Sequence, residues 1–192
     1  MALNRDQIIT AAIRHLNADP TASMAEIADG IGVSRATLHR HFSSREALFA
    51  DMGRRALDVW ARAHRVAGVE EAIADGSAER LEAALRRYVS ELITQSEEFG
   101  FALTDSLIAV LPELQAYSRE LEDRDEALAA AAQRAGVLRP DVPPRWVGNA
   151  VYGLLISVRD SLRNGDIAAR DAERLLLETV LHGLAAPAKE RP

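Results

Sequence analysis

The 192-residue sequence contains no cysteine. That absence removes disulfides, thiolate metal sites and cysteine nucleophiles, and it fits a reducing compartment. No charged-then-apolar leader opens the chain, and no uncharged apolar run reaches the roughly 20 residues that a bilayer crossing demands. A soluble, cytoplasmic protein without membrane contact is therefore expected. No alternating apolar and polar stretch marks a strand, so the expected fold class is all-α. Catalytic signatures are missing too: there is no G-x-S-x-G, phosphate-loop or dinucleotide fingerprint. The five histidines, His15, His39, His41, His64 and His182, offer no His-x-x-His or His-Glu-x-x-His spacing. Neither an enzyme nor a metal or cofactor is expected.

Positive charge is scarce overall, with a formal net charge of -6. It is also segregated. Residues 1–56 hold seven arginines against six acids, whereas the remainder is strongly acidic. Residues 31–45 carry Arg35, Arg40 and Arg45 with His39 and His41 and no acid. A local positive surface inside an acidic protein suits the phosphates of nucleic acid, with the acidic part turned away.

That basic segment sits in SMAEIADGIGVSRATLHRHF, Ser23 to Phe42. Ser23 with Glu26 makes a capping box for a short helix. Ile27, Ala28 and Ile31 share one face of it, and the small Ala28 permits a close helix crossing. Gly32 supplies the backbone freedom of a tight corner, with Val33 beneath it. Ser34 caps a second helix whose Leu38, with His41 or Phe42, points inward. Ser34, Arg35, Ala36, Thr37, His39 and Arg40 are left outward. A short helix with a small, hydroxylated and basic outer face, set across another by a glycine corner, is the geometry that enters a major groove.

Ahead of this unit, Asn4 and Gln7 cap a helix with an Ile8, Ile9, Ala12, Ile13 and Leu16 stripe. After it, Ser43 with Glu46 is expected to cap a long helix running to about Ala67, beginning in the head and ending in the body. Further helices are predicted around Leu81–Ile93, Phe99–Ile108, Glu113–Ala135, Val147–Leu162 and Ala168–Ala185, with a helical turn in Val69–Ala74. That makes about nine helices. The expected division is a helix-turn-helix head at 1–45, a helical body at 46–186, and a tail at 187–192.

The segment Ile8 to Leu48, above all IADGIGVSRATLHRHFSSREAL, resembles the TetR family of bacterial transcriptional regulators. The resemblance implies a two-fold dimer with a three-helix DNA-binding head and an effector-binding body, acting as a repressor released by a small molecule. It places Arg35 and Ala36 near bases, and Thr37, His41 and Arg45 near backbone phosphates. Arg40 takes a variable position that reaches either. Arg45 stands where lysine is usual, and His39 stands where most members have tyrosine.

In the body, the large side chains Trp60, Tyr88, Leu92, Phe99, Phe101, Leu103, Tyr117, Trp146 and Tyr152 are candidates to line a cavity for an apolar or aromatic effector. The last two predicted helices are apolar on more than one face. Val151, Leu154, Ser157, Val158, Ser161, Leu176, Val180 and Leu184 are the candidates for a four-helix homodimer interface. The expected partners are thus a double-stranded DNA operator, a second copy of the chain and an unidentified small molecule. The rival reading is a helical protein-binding or structural dimer whose helix-turn-helix has lost its DNA function.

Overall fold

A computed structural model describes residues 3–96 and 111–184, without the side chains of residues 95, 96 and 184. Among the described residues the chain forms nine α helices: α1 Arg5–Ala18, α2 Met24–Gly30, α3 Arg35–His41, α4 Arg45–Ala67, α5 Val69–Asp75, α6 Ala78–Ser96, α7 Pro112–Arg134, α8 Pro144–Asn164 and α9 Ala169–Leu184. They fall into two compact units. One takes described residues 3–58 and 111–118, and the other takes 59–96 and 119–184. The division expected after residue 45 falls at the start of α4, whereas the first unit runs on to Asp58. The helix expected around Phe99 to Ile108 lies outside the described residues.

The first unit is started by short-range caps. Asn4 Oδ1 accepts the Gln7 N–H at 2.8 Å while Gln7 Oε1 accepts the Asn4 N–H at 2.9 Å, closing a capping box. The same reciprocal pair opens α2, where Ser23 N–H donates to Glu26 Oε2 at 2.8 Å and Glu26 N–H to Ser23 Oγ at 3.3 Å. At the start of α4 the cap is Ser44 rather than Ser43: Ala47 N–H donates to Ser44 Oγ at 3.2 Å. The helix begins one residue later than the Ser43–Glu46 spacing implied. Ile8, Ile13 and Leu16 of α1, Ile27 and Ala28 of α2, Leu38 and Phe42 around α3, and Leu48, Phe49 and Met52 of α4 are buried. Gly30 closes α2 where a β-carbon would come within 2.3 Å of the His15 ring, so only glycine lets that imidazole fit against the helix end.

The second unit has a larger core. Leu81 and Val89 of α6, Leu128 and Ala132 of α7, Val147 and Leu155 of α8, and Leu176 and Val180 of α9 belong to one buried cluster. α8 starts with Pro144 at its first turn, where the missing N–H has no helical partner to lose. It packs against α9, and α6 packs against both. Among the described residues no helix is long and apolar enough to cross a membrane.

Candidate nucleic-acid interface and effector body

α2 and α3 meet at the predicted corner. Gly32 has φ +73°, a left-handed conformation that side chains rarely adopt, and its N–H donates to Asp29 O at 3.2 Å. Val33 N–H then donates to Ala28 O at 3.0 Å, closing the turn over the small Ala28. Ser34 opens α3: its Oγ accepts the Thr37 N–H at 3.0 Å and lies 2.9 Å from Thr37 Oγ1. Leu38 and Phe42 anchor the helix, each 1% exposed. The opposite face is in solvent, with Ser34, Arg35, Ala36, His39 and Arg40 exposed and Thr37 half-buried at its edge.

Two candidate phosphate contacts are already engaged within the head. The Arg45 guanidinium lies 4.1 Å from the centre of the Phe49 ring and donates to Pro20 O at 3.4 Å. It is thus held in one place, which suits a positioning role. His41 is half-buried, with its ring 6.4 Å from that of Phe42. Sequence reasoning missed Arg5. Its guanidinium sits 4.3 Å from the centre of the Phe42 ring, donates to His41 O, and pairs with Asp51 at 2.6 Å. One side chain of α1 thereby ties down the end of α3 and the start of α4. Nothing local in the sequence signals it, because its partners lie 36 and 46 positions away.

The head motif agrees with the profile of bacterial regulatory proteins of the tetR family, which matches residues 8–52. The HTH-type transcriptional repressor LfrR of Mycolicibacterium smegmatis is 30% identical over 161 residues, covering 84% of this chain and 80% of the repressor. The chain belongs to the TetR family. The HTH-type transcriptional regulator NfxB of Pseudomonas aeruginosa is 28% identical over 173 residues, 88% of each chain. The crystal structure of LfrR from Mycobacterium smegmatis in complex with proflavine superposes with a TM-score of 0.70 at 27% identity, covering 95% of this chain and 97% of that one. This TetR-family member is therefore a DNA-binding transcriptional regulator, with the all-α architecture of its relatives.

The regulator's body brings together two of the candidate cavity residues. Trp60 Nε1 donates to Tyr88 Oη at 2.5 Å, and Tyr88 Oη donates to Asp125 Oδ1 at 2.6 Å. His64 Nε2 lies 2.6 Å from the same Asp125 oxygen, and its ring stacks on Tyr88 with centroids 4.7 Å apart. Burial, and next the Asp125 charge, hold the Tyr88 phenol well above its ordinary value of 10, while the Trp60 bond acts in the opposite sense. Asp125 and His64 were not singled out from sequence. The signal available was the four-residue spacing of Trp60 and His64, which puts both on one face of α4.

The other candidates separate. Leu92 is half-buried against the body core. Tyr117 belongs to the first unit and donates to Asp58 at 3.1 Å. Trp146 and Tyr152 stand at 56% and 46% exposure on α8, so neither lines an enclosed interior. Phe99, Phe101 and Leu103 lie outside the described residues. Among the dimer candidates, Val151, Val158, Leu176 and Val180 are buried in the chain's own core. Leu154 and Ser161 are half-buried and Ser157 is exposed. The side chain of Leu184 is outside the described set.

Proposed function

We propose that this regulator is a repressor that binds a two-fold operator as a homodimer and is released by a small apolar or aromatic effector. The observation that carries the reading is the exposed face of α3, where Arg35 and Arg40 stand with small and hydroxylated neighbours and no acid. Arg35 reads a base, its guanidinium forking onto guanine O6 and N7, with Ala36 close enough to touch a neighbouring base. Thr37, His41 and Arg45 hold phosphates and set the register, and Ser34, His39 and Arg40 complete the contact surface. Two copies present two such helices about 34 to 36 Å apart, one turn of duplex. The last two helices supply the dimer contact, with Leu154, Ser157 and Ser161 of α8 the candidates that keep accessible surface in the single chain.

Release follows from population shift: an effector that binds one dimer arrangement more tightly draws the population toward it. α4 is the candidate transmitter, being unbroken from Arg45 to Ala67 with residues in both units. Support for an aromatic effector comes from LfrR, a repressor whose structure holds proflavine. The test is selection of bound fragments from genomic DNA, followed by titration of the recovered duplex. The expected result is a palindromic site bound by a dimer with steep salt dependence. Sequence-blind binding by a monomer would contradict it.

A further inference from the structure

We propose that Arg5 is a positioning residue for operator reading: it fixes the C-terminal end of α3, so that the side chains of that half meet their own base pairs. The inference rests on α3 as the reading helix, and it adds a residue of α1 that acts through that helix and not by touching DNA.

α3 has seven residues and buries only Leu38 among them, so its two ends largely set the direction of its axis. The N-terminal end is held by neighbouring sequence: Gly32 turns the corner, Val33 N–H donates to Ala28 O at 3.0 Å, and Ser34 Oγ accepts the Thr37 N–H at 3.0 Å. The C-terminal end has no glycine cap of its own. A helix leaves its last carbonyls without partners inside the helix, and the carbonyl of His41, the last residue of α3, is taken by Arg5 Nη1. The other two nitrogens of that guanidinium turn to α4, with Nε donating to Asp51 Oδ2 at 2.8 Å and Nη2 lying 2.6 Å from the same oxygen. Arg5 Cζ is also 4.3 Å from the centre of the Phe42 ring, which is buried directly after the helix. One planar cation thus holds a carbonyl, a carboxylate and a ring at once, and it brings positive charge to the negative end of the α3 dipole.

This fastening bears on reading more than on stability. The Arg5 and Asp51 side chains are 48% and 33% exposed, and ion pairs so open to water add little to folding. Geometry is the larger consequence. Arg35 and Arg40 stand five residues apart, about 7.5 Å along the helix axis, far enough to face different base pairs. Pivoting α3 by roughly 10° about its N-terminal corner moves the backbone at Arg40 by about 1 Å and at Arg35 by much less. Hydrogen-bonded recognition holds only to about 0.5 Å. Loss of Arg5 therefore blurs reading by His39 and Arg40 and spares reading by Arg35. A phosphate contact made by Arg5 itself would behave differently, weakening every sequence alike and leaving discrimination in place.

The test uses the full-length protein, the operator recovered by selection, and a set of duplexes in which each base pair of that operator is changed in turn. Wild type, Arg35→Ala, Arg5→Ala and Asp51→Asn are titrated by fluorescence anisotropy at several salt concentrations. Arg5→Ala is expected to lose discrimination by about fivefold or more at base pairs other than those that Arg35→Ala ceases to discriminate. Its affinity for a scrambled duplex and the salt slope should stay at the wild-type values. Asp51→Asn, which keeps shape and removes the charge that orients Arg5, should show a smaller loss at the same base pairs. Should Arg5→Ala fail to fold by circular dichroism, Asp51→Asn decides by the same pattern. An unchanged discrimination profile in the folded variants, equal weakening of all duplexes with a shallower salt slope, or loss at the Arg35 base pairs as well would each overturn the proposal. When wild type and Arg35→Ala behave as expected, such a result sinks this inference alone. A wild-type protein that binds every duplex alike sinks the reading of α3 and this inference with it.

Discussion

The head and the body use polar groups in opposite ways. In the head the helix-capping groups lie at the surface and close over three residues, as in Asn4 with Gln7, Ser23 with Glu26 and Ser34 with Thr37, with Arg5 the long-range exception. In the body the main polar cluster is largely buried and joins residues 28 to 61 positions apart. The first arrangement makes a small rigid platform out of local rules. The second places charge and hydrogen-bonding capacity inside a core that apolar packing alone could have filled. Burying such groups is costly unless they are satisfied, and Trp60 and Tyr88 are satisfied through one another and Asp125.

Substitutions should break this comparison in graded steps. The largest effect is expected from Leu38→Ala, which empties the only buried position of α3 proper and should cost about 2 to 5 kcal/mol in urea denaturation, abolishing DNA binding with it. Gly30→Ala should follow, at about 1 to 3 kcal/mol, because the new methyl collides with the His15 ring. Combining it with His15→Ala should recover part of the loss, and purely additive costs would show that the two residues do not meet.

In the body, Tyr88→Phe should cost about 1 to 3 kcal/mol by leaving Trp60 Nε1 without its acceptor and Asp125 short of a donor. The same residue predicts a pH dependence. Its folded phenol titrates well above 10, so the contribution is fully present below pH 10. It is lost as pH rises through the folded value, because the unfolded chain releases its proton first. Thermal melts between pH 9 and pH 11 check the sign, and Tyr88→Phe should flatten that slope. The smallest effect is Ser23→Ala, about 1 kcal/mol for a lost helix cap. Hydrogen bonds from Ser23 hold the Glu26 carboxyl below its ordinary 4.5, so this contribution is present above that value and fades as pH falls through the folded one. Melts at pH 3 and pH 7 should therefore differ less in the variant.

The same contrast decides what could be read from the sequence. The α2–α3 corner was legible because Ser23, Ala28, Gly32, Ser34 and Leu38 act on neighbours within a few residues. Ser44 displaced Ser43 as the α4 cap because adjacent serines offer the same chemistry and only backbone geometry separates them. Arg5 and the pair Asp125 and His64 were not legible, since their partners arrive from distant helices. The apolar stripes of α8 and α9 were correctly placed on helices, but periodicity does not say whether a stripe meets its own core or a second copy. Val151, Val158, Leu176 and Val180 went to the core.

The central claim is that α3 reads sequence while the residues around it hold the backbone. The most direct measurement is fluorescence anisotropy with the selected operator and a scrambled duplex of equal length, for wild type, Arg35→Ala and Arg45→Ala at fixed salt. The account predicts that Arg35→Ala lowers the preference for operator over scrambled duplex by about 1 to 3 kcal/mol, whereas Arg45→Ala weakens both duplexes alike and shallows the salt slope. An unchanged preference in a folded Arg35→Ala protein would contradict it.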